Sequence, residues 1–131
     1  MNCIKIWTIL CVAVFVETAP VIIDSTVQSV AFQNSSLHST WTGSSGQCIN
    51  VRNLDLVYYT HAHLQPVSSS SSVTSNYSWS GSKTIYCMEI VTNFGTTGRI
   101  TVGGVGYKTT SLEAKSLTGN DLEIMIYIYA D

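Results

Sequence analysis

His61 and His63 stand two apart in the run LDLVYYTHAHL, residues 54–64. On an extended chain that spacing turns both imidazoles to one face. Two imidazoles begin a metal site, but a stable zinc centre takes three or four ligands. No further ligand is tied to this pair by a metal-binding spacing, so no metal is expected and the two histidines read as a surface or edge pair. The many serines invite a hydrolase reading, since a serine beside a base and an oxyanion hole is a nucleophile. The nearest approach to a nucleophile elbow, Gly43-Ser44-Ser45-Gly46, is one residue short and lacks a strand-turn-helix setting. Gly103-Gly104-Val105-Gly106 is neither a dinucleotide fingerprint nor a phosphate loop, and no helical pattern follows it. It reads as a turn. Neither an enzyme nor a cofactor is expected.

Cysteine chemistry is more definite. Lys5 followed by the uncharged apolar run Ile6 to Val16 has the form of a secretory signal, too short for a membrane span. Cleavage is expected near Ala19, although Glu17 and Pro20 flank that bond unfavourably and leave processing after Thr18 or a few residues later open. Removing residues 1–19 takes Cys3 and Cys11 with them and leaves Cys48 and Cys87. Two cysteines in an oxidising compartment are expected to form one disulfide. The mature chain, residues 20–131, is long enough for one domain with a modest core.

Five basic residues (Arg52, Lys83, Arg99, Lys108, Lys115) then stand against seven acidic ones, so the net charge stays at −2. The cations are scattered singly and make no stripe for a phosphate backbone, which argues against nucleic acid as a partner. No second apolar stretch is long enough to span a bilayer. An extracellular location is expected, with an unknown protein or small ligand as partner and an unassigned oligomeric state.

The elements that would position these residues are strands. Short apolar pieces, Val21 to Ile23 and Val30 to Phe32, alternate with polar residues. Leu54 to Leu64 and Thr84 to Thr92 are rich in β-branched and aromatic residues. Residues 66–82 are Ser-rich, with Ser68 to Ser72 unbroken, and read as a mobile loop entering a polar strand around Val73 to Trp79. Asn93 to Gly98 is a turn, Arg99 to Val102 a short strand, and Gly103 to Gly106 a turn or bulge. Thr110, Leu112 and Ala114 alternate with Thr109, Ser111, Glu113 and Lys115. Leu122, Ile124, Ile126 and Ile128 alternate likewise with Glu123, Met125, Tyr127 and Tyr129. Thr118 to Asp121, around Gly119, is expected to close these two strands into a hairpin. No amphipathic helix follows the signal. The expected fold is all-β, a single small antiparallel β-sandwich-like domain.

Asn34-Ser35-Ser36 and Asn76-Tyr77-Ser78 are acceptor triplets for N-glycosylation in a secreted chain. Trp41, Trp79 and the outward-phased Tyr127 and Tyr129 either form an aromatic contact face or pack ordinarily against a second layer.

From about Asn53 to Tyr129 the chain resembles the arthropod family named after multiprotein bridging factor two, many of whose members are labelled probable salivary secreted peptides. The likeness rests on Leu54 to Tyr58, Ile85 to Val91, and Gly103-Gly104-Val105-Gly106-Tyr107. It continues through Ser116, the Gly119 turn and the closing Ile126-Tyr127-Ile128-Tyr129. The family usually carries an aromatic at Leu122 and a more basic, glycine-rich turn at residues 117–121, and the first 50 residues do not align with it. It has no established catalytic residues to carry over. Its name implies a transcriptional coactivator that bridges DNA-binding proteins, whereas the signal segment implies secretion. The leading expectation is therefore a secreted, non-catalytic binding or effector protein of saliva, venom, haemolymph or cuticle. Alternatives are the coactivator and a carrier of a small apolar ligand held inside the domain.

Overall fold

The computed structural model describes residues 28–33, 38–42 and 46–131. The expected signal, its cleavage region, Val21 to Ile23 and the Asn34 triplet lie outside them. Eight strands form: β1 (Gln28–Phe32), β2 (Thr40–Trp41), β3 (Leu56–Leu64), β4 (Thr74–Ser80), β5 (Ile85–Thr92), β6 (Thr97–Gly103), β7 (Thr109–Lys115) and β8 (Leu122–Ala130). A 3-10 turn, Asn53–Asp55, leads into β3. The strands make two four-stranded antiparallel sheets, ordered β1-β5-β8-β3 and β2-β6-β7-β4. The all-β sandwich expected from the strand patterning is present.

Alternation chooses the inner faces. On β8, Leu122, Ile124, Ile126, Ile128 and Ala130 are buried, while the residues between them are half-buried or exposed. Across the ladders, Ile124, Ile126 and Ile128 lie beside Thr92, Ile90 and Met88 of β5 on one side. On the other side they lie beside Ala62, Thr60 and Tyr58 of β3. The facing sheet contributes Ile100, Leu112, Ala114 and Trp41 to the same cluster, with Tyr77 and Trp79 packed against it. Trp41 meets Phe32 edge to face, the ring centroids 6.2 Å apart. Its indole runs over Gly98, where a Cβ would strike the ring, so the glycine makes room for the tryptophan.

The connectivity differs from the sequence reading at one decisive place. Thr118 to Asp121 does not close a hairpin, because β7 and β8 belong to different sheets. It makes a local turn, Asn120 N–H to Leu117 O at 3.1 Å, and is bonded to the Ser-rich segment. Gly119 donates its N–H to the Ser71 carbonyl at 2.7 Å, and Ser116 donates to the Val73 carbonyl at 2.9 Å. The true hairpin is β6–β7, and its loop is the glycine run. Gly103, at φ 63°, lies where a Cβ would collide with the Thr109 carbonyl, and Gly104 and Gly106 also have positive φ. The same loop reaches across the sandwich: Ile85 N–H donates to Tyr107 O at 2.9 Å, and Gly106 N–H donates to Ile85 O at 2.8 Å. The glycine run thus turns the chain and also ties one sheet to the other.

The Ser-rich stretch divides as its sequence suggests, into a loop and a polar strand. Its second half is β4, and its first half is bonded to its own serines and to the β7–β8 connection. At the same end Asn93 anchors the β5–β6 turn to the β7–β8 connection. Its Oδ1 accepts from Thr96 Oγ1 and from the Glu123 N–H, and its side-chain amide donates to Asp121 O.

Candidate binding surface

The outward phase of β8 brings Glu123, Met125, Tyr127 and Tyr129 onto the outer face of the first sheet. Beside them stand His63, His61 and Tyr59 of β3 and Val91, Glu89 and Cys87 of β5. One half of this face is covered by residues 46–55. Cys48 and Cys87 are joined there by a disulfide with a Cα–Cα distance of 6.1 Å. Both cysteines are buried, Cys87 completely. The Cys48 N–H donates to Glu89 Oε2 at 3.4 Å.

A second clamp holds the end of the covering segment. Arg52 donates to both carboxylate oxygens of Asp55, at 2.9 and 3.1 Å, and Tyr86 donates its hydroxyl to Asp55 at 2.7 Å. Bidentate and hydroxyl donors stabilise the ionised form, so Arg52 first and Tyr86 second hold the Asp55 carboxyl below its ordinary value of 3.8. Burial, and then the carboxylate it bonds, push the Tyr86 hydroxyl up. A depressed folded value contributes stability above the unfolded pKa that is lost as pH falls through the folded one. Asp55→Asn is therefore expected to lower the urea midpoint at neutral pH, with the gap from the parent closing below about pH 4. A gap that stayed constant down to pH 2 would show that the carboxylate charge is not what matters.

The other half of the face is open. Tyr59, 51% exposed, leans on Tyr127 with ring centroids 5.0 Å apart. The Tyr127 hydroxyl reaches Met125 Sδ at 3.9 Å and is pushed up by burial, then by Tyr59 and Glu89. His61 and His63 share this face as their spacing predicts. Each takes a carboxylate, Glu123 at 3.1 Å and Asp121 at 2.7 Å. These are two separate pairs, and no group of three or more metal-binding side chains occurs among the described residues.

Of the two readings the sequence left open for these aromatics, a contact face and ordinary packing, each describes part of the set. Tyr127 and Tyr129 do point outward, but Trp41 is 3% exposed in the core, and Trp79 packs against that core. Sequence reading passed over Tyr59, the partner that makes a patch of Tyr127, because no periodicity links strands 68 residues apart. It also passed over the Arg52–Asp55–Tyr86 clamp, although an aspartate set inside an apolar run was a visible signal. Asn76 is exposed on β4. A groove of about 390 Å3 lies beside β2, lined by Thr40, Trp41, Thr97, Gly98, Arg99 and Glu113, with Arg99 and Glu113 ion-paired across it at 3.6 Å.

A family model described as transcription activator MBF2 matches residues 45–130, from the disulfide-bearing segment to the last strand. The chain matches no curated protein and no solved structure.

Proposed function

This chain belongs to the transcription activator MBF2 family, and we propose that it is a secreted, non-catalytic binding or effector protein of an arthropod. Its contact surface in this reading is the open outer face around Tyr59, Met125 and Tyr127. The observation that carries the proposal is the Cys48–Cys87 disulfide. It pins the segment covering half of that face, and such bonds persist in oxidising compartments while reducing cytosol and nucleus remove them. The opening lysine-led apolar run supports the same compartment. Against a carrier of small apolar ligands stands the interior itself, filled by Ile124, Ile126, Ile128, Leu112 and Met88. The family description favours a second reading, a transcriptional coactivator, which requires the chain to remain inside the cell.

The two readings separate in one experiment. The full chain, tagged at its C-terminus and expressed in arthropod cells, is expected in the medium, with its N-terminus between about residues 18 and 26, as signal cleavage near Ala19 requires. On non-reducing gels it should carry a closed disulfide. An intracellular protein that still begins at Met1, with both thiols free, overturns secretion and leaves the coactivator.

A further inference from the structure

The two sheets have four edges. Two are short, β1 with five residues and β2 with two. The third, β4, is polar, with Thr74, Ser75, Asn76, Ser78 and Ser80 among its seven residues. The fourth, β3, has nine residues, LVYYTHAHL, without Lys, Arg, Asp, Glu or Pro. Its departure from regular pairing with β8 comes only at the start, between Leu56 and Tyr58. Apart from the Leu56 N–H, which donates to the Asn53 carbonyl, none of the turn and loop hydrogen bonds of the described residues engages a β3 N–H or C=O. Long, apolar, uncharged edges are what folded proteins ordinarily avoid leaving open, because a row of unpaired backbone groups recruits another strand.

We infer that β3 pairs antiparallel with β3 of a second copy of this chain, joining two four-stranded sheets into one of eight. The strand is self-complementary. With the two-fold axis at Thr60, the regular part of β3 meets its copy face to matching face, Tyr58 opposite Ala62 and Tyr59 opposite His61, and the irregularity between Leu56 and Tyr58 ends the match there. No like charges meet. The acidic groups nearest the edge, Glu123 and Asp121, are already held by His61 and His63, so nothing on it favours an acidic or basic foreign strand. The exposed Tyr59, 51% accessible, loses water in the pairing. An interface of this kind is isologous and closed, which stops growth at two copies. It also places two Tyr59–Tyr127 patches on one continuous face, giving the proposed binding surface two sites per particle.

The test uses the purified, disulfide-bonded chain, whose self-association does not depend on whether the proposal of secretion holds. Sedimentation velocity across micromolar concentrations should give twice the chain mass. Tyr59→Lys with His61→Lys puts cations opposite cations, and Tyr59→Glu with His61→Glu puts anions opposite anions. Each double variant alone should associate at least about tenfold more weakly, while an equimolar mixture of the two should regain the dimer. Both positions are exposed, so unchanged circular dichroism checks that folding is intact. A parent that is monomeric throughout overturns the proposal, as do double variants that dimerise as well as the parent. A mixture that stays monomeric overturns it too.

Discussion

Ile126→Ala is expected to cost about 2–5 kcal/mol of folding stability, the range for emptying a large aliphatic site in a packed core. Ile126 is fully buried at the centre of β8, between Ile90 of β5 and Thr60 of β3. β8 is laddered to both of these strands, and β5 is held on its far side by β1, so the space cannot close by moving one strand. Domains of this size have roughly 5–10 kcal/mol in hand, and the variant should unfold at much lower urea. Glu113→Ala and Lys115→Ala are the controls. Lys115 is exposed, and Glu113 is half-buried in a loose 3.6 Å pair with Arg99. Each should change stability by about half a kcal/mol or less. Equal damage from a control and from Ile126→Ala would mean that the inner and outer faces of the sandwich have been assigned the wrong way round.

Replacing Cys48 and Cys87 together by alanine is the second large effect. The bond spans a sequence separation of 39, and closing a loop of that length restricts the unfolded chain by roughly 4 kcal/mol in the chain-entropy description. The double substitution avoids leaving one reactive thiol buried without its partner. The loss has a local side as well, because residues 46–55 lie over Tyr86, Cys87 and Glu89 through the bond and the Arg52–Asp55 clamp. Faster hydrogen exchange is expected first in β5, followed by a urea midpoint far below that of the oxidised parent. An unchanged midpoint on reduction would remove the bond from any account of stability.

Much of the architecture was legible in single strands. Alternation alone sorted Thr110, Leu112 and Ala114 from Glu113 and Lys115, and Ile124, Ile126 and Ile128 from Tyr127 and Tyr129, and the burial pattern follows it residue by residue. The two cysteines left after the signal segment pointed to each other by elimination and compartment, and they are joined. The glycine run from Gly103 to Gly106 was legible as a turn because positive φ is nearly a private property of glycine. Family resemblance was legible too, from the same turn and the closing Ile-Tyr repeats.

Pairing was not legible. Strand phase belongs to one segment and says which side chains face inward, whereas strand partnership belongs to two segments and is decided by long-range hydrogen bonds. Thr118-Gly119-Asn120-Asp121 has the residues of a hairpin turn, yet Ser116 and Gly119 bond to Val73 and Ser71. That lets β8 leave for the other sheet, where β5 and β3 take both of its edges. The outer patch has the same origin, since Tyr59 and Tyr127 meet only through the β3–β8 register. The sequence by itself determined the class of element, the buried phase, the covalent link and the family. Only the tertiary structure decided which strands lie side by side, and therefore which face and which edge are left open, because burial can be satisfied locally while backbone pairing requires a partner far along the chain.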